Sequence, residues 1–368
     1  MLSITHVNDN IFSEEQNSVN YSNGAKRITI KDVAQVAGVS TQTVSRVMNN
    51  TSYVSAKTRH RVEEVVEDLG YRPSALARSL IQQRSYTLGV ITFGLKYLGP
   101  SRTLNGIADK ADELGYMLLM KKMDNFDTDR IDEVIDSLLA RQVDGIIWDV
   151  PENDENREWA QSVKNMPVPI VFMSMEPKPG YSVVSMDSYL GAQMATEHLL
   201  AQGCRHIGHI SGSLIWWEAR LRKQGWSDTL EQAGMQVSDQ YWEEGNWSSA
   251  SGAAAAEKLL NRYPEMNGVF VANDQMALSV LREACRRGIK VPDQLAVVGF
   301  DGIPESAYFY PSLTTISQDP QLLGGQAVKC LVEMIEAQRE NRLTEARSIL
   351  ISPTLVVRES SRNIQTSN

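Results

Sequence analysis

Long uncharged apolar runs are missing from this chain of 368 residues. No stretch reaches the roughly 18 residues needed to cross a bilayer, and residues 1–25 lack the basic start and apolar run of about 7–15 residues of an export signal. A cytoplasmic protein with no membrane partner is the expectation. Cysteine is scarce: Cys204, Cys285 and Cys330 are far apart, odd in number and free of CxxC or His-paired spacing, which speaks against a disulfide framework and against a zinc or other metal site. Catalytic signatures are missing as well. There is no GxxxxGK[ST], no GxGxxG after the first apolar run, no GxSxG and no HExxH, so nucleotide, hydride, acyl and zinc chemistry have no visible machinery. Neither an enzyme nor a bound cofactor is expected. The five histidines, His6, His60, His198, His206 and His209, stand beside no nucleophile motif, and His206 and His209 fall in or beside an apolar run where a structural role fits better.

An overall excess of positive charge is also missing, since the chain carries −9, which taken alone argues against nucleic acid. The average conceals a division. Residues 26–84 hold ten Lys and Arg against five acids, a net +5, while residues 85–368 carry −11. A basic head before an acidic body points to a separate nucleic-acid-binding module, although a solvated charged face would produce the same count. The length, at about 150 residues per domain, suggests two to three domains, and 42% hydrophobic residues suffice for real cores.

What is present is patterned. Residues 1–26 are rich in Asn and Ser and read as a flexible extension. Thr29 with Asp32 three positions on forms a capping-box pattern that opens a short helix burying Val33, Ala34 and Ala37, which Gly38 ends. Ser40 can cap a second helix, with Val44 and Val47 on one face and Thr41, Gln42, Ser45 and Arg46 facing outward. A third helix runs from about Ser55 to Gly70 and packs Val62, Val65, Val66 and Leu69. Helix, Gly-containing turn and polar-faced helix make a helix-turn-helix pattern. The segment Ser74–Ile81 has helical spacing but is too short to hold alone, so it is a hinge that orders on contact. From Leu88 on, apolar runs at 88–91, 116–120, 143–148, 169–173, 206–211, 268–272 and 295–300 alternate with helical stretches, which predicts doubly wound parallel sheets with a ligand at the strand carboxyl ends.

The strings ITIKDVAQVAGVSTQTVSRVMNN (28–50), YRPSALARSL (71–80), VANDQMAL (271–278), VVGFDGIP (297–304) and PSLTTISQD (311–319) resemble the lactose-repressor (LacI) family of bacterial transcription regulators, over about Arg27 to Glu359. The resemblance implies a small all-α helix-turn-helix domain plus an α/β core of two doubly wound parallel-sheet lobes, similar to periplasmic binding proteins and joined by three crossing strands. It divides the chain into the extension (1–26), the helix-turn-helix domain (27–72), a hinge helix and linker (73–85), a two-lobed core (86–360) and a tail (361–368). Lobe one would hold about 86–187 plus 318–346, and lobe two about 188–317 plus 347–360. The implied function is a homodimeric repressor of a carbohydrate-utilisation operon, bound to a pseudo-palindromic operator and released by a sugar or glycoside held between the lobes.

Residue by residue, the resemblance makes Thr41 to Asn49 the recognition helix, with Thr41, Gln42, Ser45, Arg46 and Asn49 at DNA. Gln can pair with adenine, Arg with guanine O6 and N7, and a Thr methyl with thymine, although such residues also serve as phosphate contacts or plain surface. Leu80 matches the family's minor-groove wedge, and Ala77 the small neighbour that lets two hinge helices approach. At the effector, Arg222, Asn273 and Asp301 match residues that read hydroxyls, and Trp247 one that stacks on a sugar ring. Asp301 could equally cap a turn, Asn273 a helix at 275–287, and Trp247 could be core. There are departures: Ser174 stands where the family's eponymous member has a strand-end aspartate, and residues 213–217 bring Trp216 and Trp217 beside the pocket, which suits a different or larger glycoside. The residues after Val357 lack that member's heptad segment, so a dimer is expected. A solute-binding transport protein would need an export signal, and an enzyme on the same scaffold would need a reactive group; operator or heparin retention separates both from a repressor.

Overall fold

The computed structural model describes residues 28–48, 53–72, 84–123, 131–152 and 166–361. The expected N-terminal extension, Asn49 and the expected hinge with Ala77 and Leu80 lie outside the described residues. The chain divides into two compact units, Met1–Gln82 and Gln83–Asn368.

In the first unit, local signals set every helix. Thr29 caps α1 (Ile30–Ala37), and its backbone N–H and its hydroxyl both donate to the Asp32 carboxylate, at 2.8 and 2.7 Å. Gly38 closes that helix at φ 62°, a left-handed conformation costly for a residue with a Cβ. Ser40 accepts the Thr43 N–H at 3.0 Å ahead of α2 (Thr41–Met48), and Ser55 accepts the Thr58 N–H at 3.3 Å ahead of α3 (Ala56–Asp68). The three helices bury one cluster of Val33, Ala34, Ala37, Val44, Val47 and Val62. Thr41, Gln42 and Arg46 of α2 are exposed, and Ser45 is partly so.

The second unit has two lobes, each a six-stranded sheet flanked by helices. Lobe one contains β1 (Thr87–Phe93), β2 (Met117–Met123), β3 (Gly145–Asp149), β4 (Ile170–Met173), β5 (Ser182–Met186) and β11 (Ser348–Ile351), in the order β11-β5-β4-β3-β1-β2 and parallel throughout. Lobe two contains β6 (Ile207–Ser211), β7 (Trp242–Glu244), β8 (Gly268–Val271), β9 (Ala296–Asp301), β10 (Thr314–Ser317) and β12 (Thr354–Val356), in the order β12-β10-β9-β8-β6-β7, with only the β10–β12 pair antiparallel. All seven apolar runs become strands. The five others are short or interleaved with Ser and Thr, so their hydrophobic signal is weak. Central strands such as β3 are buried along their whole length, as a sheet covered on both faces requires. Each Ile or Val so enclosed contributes about 1.5–3 kcal/mol.

Helices α4 (Leu98–Glu113), α5 (Ile131–Leu139), α6 (Ser188–Ala201), α7 (Trp217–Gln232), α8 (Ser249–Arg262), α9 (Asp274–Arg286) and α10 (Pro320–Arg339) complete the layers. α4 and α10 touch backbone to backbone in lobe one. A Cβ on Gly106 would strike the Gln321 carbonyl, and one on Gly324 the Thr103 carbonyl. The chain passes between lobes at Asp187, at Gln318–Asp319 and at Ser352–Pro353. Asp187 caps α6 and Asp319 caps α10, so two of the three crossings feed directly into a capped helix. The third crossing differs from the expected lobe boundary at 346–347. Ser348–Ile351 adds to the β5 edge of lobe one, with Ile351 in that core, and Pro353, which has no N–H for a ladder, follows.

Candidate functional site

The strand ends and helix starts of both lobes enclose a cleft of about 870 Å³, lined from lobe one by Tyr97, Asp149 and Ser174 among others, and from lobe two by Trp216, Glu218, Arg222, Trp247, Asn273 and Asp301. All four residues expected at the effector therefore share one cavity, together with Ser174 and Trp216. Trp217 does not line it; it is 8% exposed and opens α7 from inside lobe two.

Arg222 projects from the second turn of α7 and is only 6% exposed. Its guanidinium lies over the Phe300 ring at 3.7 Å, donates to the Ala272 carbonyl at 2.5 Å and sits 3.6 Å from Asp301 Oδ1. Burial lowers its pKa, and the Asp301 charge opposes that shift. Asp301 ends β9 at φ 106°, beside Gly302 at φ 66°. A non-glycine residue in that region is strained, and such strain collects where a site needs a side chain aimed. Gln318 Nε2 donates to Asp301 Oδ1 at 2.6 Å, from the second crossing between lobes. Enclosure pushes the Asp301 carboxyl up to about 6, against the pull of Arg222.

Trp247 also has positive φ, 72°, and the six-membered ring of its indole lies against Gly212, where any Cβ would collide with it. Its Nε1 is buried without a hydrogen-bond partner among the described residues. Trp216 stands 5.7 Å from it between ring centroids, and Tyr97 of lobe one meets Trp216 edge-on at 6.1 Å. Asn273 takes the helix-cap reading of the sequence. Its Oδ1 caps α9 by accepting the Met276 N–H at 3.0 Å, while its Nδ2 donates to the Trp247 carbonyl at 3.0 Å and to Gln275 Oε1 at 2.9 Å. It lines the wall and holds the Trp247 backbone in place.

Asp149, Glu218 and Gln318 are among the cleft groups that the sequence does not single out. Asp149 closes the VDGIIWD run and is 6% exposed, accepting a hydrogen bond from Thr92 Oγ1 at 3.3 Å. Burial pushes its carboxyl up to about 8, and the charge of Glu218 adds to the shift. Glu218, in the first turn of α7, is raised by burial too, opposed by hydrogen bonding to Ser174 and by Arg222 and Arg220; its Oε2 is buried without a partner. Gln318 lay inside the quoted PSLTTISQD string. The rule that ligands gather at strand carboxyl ends, applied to every run, would have found Asp149. His209 lies outside the cleft, stacked on Phe270 and Trp226 with Nδ1 2.9 Å from the Phe270 carbonyl, and burial takes its pKa down to about 3. Among the described residues no group of metal-binding side chains and no helix long and apolar enough to cross a membrane occurs.

Comparison with known proteins agrees with this anatomy. Residues 29–74 match the family of bacterial regulatory proteins of the lacI type, and residues 196–361 the periplasmic binding protein-like domain. The lactose operon repressor of Escherichia coli (strain K12) is 34% identical over 313 residues, 85% of this chain and 86% of that protein. The transcriptional repressor PurR of Aliivibrio salmonicida is 34% identical over 336 residues, 90% of this chain and 98% of its own. Among solved structures, the lac repressor dimer bound to operator and the anti-inducer ONPF superposes with a TM-score of 0.83 at 33% identity, covering 91% of this chain and 99% of that one.

Proposed function

The chain belongs to the LacI family of DNA-binding transcriptional repressors, and from that premise we propose that it represses a carbohydrate-utilisation operon and leaves its operator when a sugar or glycoside occupies the cleft. The observation that carries this reading is the convergence of Arg222, Asp301 and Trp247 on one cavity between two lobes. A rigid guanidinium fork beside a carboxylate suits paired hydroxyls, and an indole face suits the C–H face of a pyranose. A sugar acts on DNA affinity only through unequal affinity for two lobe arrangements, which a cleft with walls from both lobes provides.

At the other end, Thr41, Gln42, Ser45 and Arg46, with Asn49, read base edges in the major groove of a pseudo-palindromic duplex, Leu80 inserts into the minor groove, and Ala77 packs beside it. The exposure of Thr41, Gln42 and Arg46 on a capped, buried-backed helix supports the first part. The working form is a homodimer in the cytoplasm, and the lac repressor dimer on its operator, at 33% identity, supports that assembly.

The test uses an operator duplex selected by the protein from random pseudo-palindromes. Neutral sugars should release the parent protein, whereas Arg222→Lys should hold the duplex and need about 10–150-fold more sugar, the worth of about 1.5–3 kcal/mol for a charged hydrogen bond. Release of the variant at the parent's sugar concentration would overturn the assignment.

A further inference from the structure

The cleft lies at the carboxyl ends of the lobe-one strands, and at their amino ends the fold gathers a second cluster of polar and aromatic groups. Arg84 opens the described part of the second unit, two positions after the first unit ends at Gln82. Its guanidinium lies over the Tyr86 ring at 4.1 Å and the Tyr116 ring at 5.2 Å, donates to the Tyr116 hydroxyl, and meets Glu336 Oε1 at 2.5 Å. Tyr86, Tyr116 and Asp144 immediately precede β1, β2 and β3, whereas Glu336 belongs to the last turn of α10.

Asp144 already fastens the chain here. It accepts the Ser85 and Tyr86 N–H groups at 2.9 and 2.8 Å and the Ser85 hydroxyl at 3.1 Å, and it lies 3.8 Å from Arg84 Nε. The reach of Arg84 to Glu336 adds a connection of another kind, because α10 begins at the cleft. Gln318, just ahead of that helix, donates to Asp301, and Pro320 and Leu323 line the cavity. From Pro320 to Glu336 the helix spans about 24 Å. Its backbone contact with α4, which also starts at the cleft, makes the two helices move as one body.

We propose that the Arg84–Glu336 pair is the latch through which the cleft governs operator binding, with Arg84 as a positioning residue that ties the start of the core to the far end of α10. Movement of the second crossing between lobes, carried along the helix, closes or opens this tie. The Arg84 side chain is 12% exposed and backed by two rings, while that of Glu336 is 41% exposed, so one partner is fixed and the other can swing into water. A fully buried pair resists opening, and a fully exposed pair holds too weakly to transmit anything. Packed helices slide by about 1–2 Å in allosteric transitions, which is enough to part a contact of this length. The latch depends on the DNA binding of the chain and is indifferent to which molecule occupies the cleft.

The experiment is a set of mutant cycles read as operator affinity of the full-length protein, on the duplex selected from random pseudo-palindromes and with no sugar present. Gln318→Met removes the hydrogen bond to Asp301 at the cleft end and should weaken operator binding about 5–10-fold, within the range of allosteric couplings. In an Arg84→Met or a Glu336→Gln background the same change should matter less than about twofold, because the latch is already open; unconnected changes this far apart would instead multiply. Glu336→Gln alters a half-exposed side chain and so keeps the cycle readable if Arg84→Met fails to fold. Asp144→Asn is the control: it loosens the same strand starts without touching Glu336, so Gln318→Met should keep its full effect there. An equal effect of Gln318→Met in every background, no effect in the parent, or loss of the effect in Asp144→Asn as well would overturn the latch.

Discussion

The head and the cleft solve recognition in opposite ways. In the head, the side chains offered to a partner stand exposed on α2, and the helices are set by contacts three residues apart: Thr29 with Asp32, Ser40 with Thr43, Ser55 with Thr58. In the cleft, the side chains are buried or half-buried, and their partners are remote in the chain: Arg222 with Asp301 and Ala272, Asp149 with Thr92, Gln318 with Asp301. Exposed charges cost little to hold and act through a screened field. Buried charges are held by the fold against a desolvation cost, and in return their geometry is sharp.

The largest effect that could break this contrast is the response to salt. A head that meets phosphate with its nine Lys and Arg should lose about 10³–10⁵ in operator affinity between 50 and 200 mM salt if it makes about 6–10 phosphate contacts. Binding of a neutral sugar in the cleft should move little over the same range. Fluorescence anisotropy on the duplex and calorimetry on the sugar compare the two directly; a flat operator curve, or equal slopes, erases the distinction.

The second contrast concerns how each region is held. Gly106→Ala forces α4 away from the Gln321 backbone and should destabilise the core by about 1–3 kcal/mol, while disturbing the cleft wall that both helix starts build. Ser40→Ala removes one cap and should cost the head about 1 kcal/mol, with no change in the sugar titration. Hydrogen exchange resolves the two, since protection should fall at Val44 in one variant and at Ile107 in the other. Loss of protection in both regions from either change would mean that the units are not independent in stability.

The smallest effect concerns pH. The Asp149 carboxyl titrates at about 8 when folded against an ordinary 3.8, so the native state holds a proton that the unfolded chain has lost. Its contribution to stability is complete below about 3.8 and disappears as pH rises through about 8, with a slope of at most about 1.4 kcal/mol per pH unit. Asp149→Asn cannot ionise. Its melting temperature should therefore gain on the parent's as pH rises from about 6 to about 9, whereas a constant difference would show Asp149 already ionised and solvated. His209 works the other way, its folded pKa of about 3 removing stability as pH falls below 6.5, and it is common to both proteins.

Much of this anatomy was legible before the structure. Caps, the glycine stops at Gly38 and Gly70, and the i, i+3 spacing of Val44 and Val47 specify the head, because each signal acts within one or two helical turns and needs no distant partner. The seven apolar runs announce two doubly wound sheets for a similar reason: a strand covered on both faces must be apolar along its length. Arg222, Trp247, Asn273 and Asp301 were named through family resemblance, and the polarity of each alone fitted several roles. What only the tertiary structure decided is which partners those residues meet. Asn273 became a cap and a brace for Trp247, Trp217 turned into the core beside a wall-lining Trp216, and β11 crossed back to an edge strand some 165 residues away. Asp149 and Glu218 show the reason most plainly. A carboxyl is unremarkable in a sequence and has its proton affinity raised only when remote segments strip it of water, a desolvation that belongs to the packed assembly and is encoded at no single position.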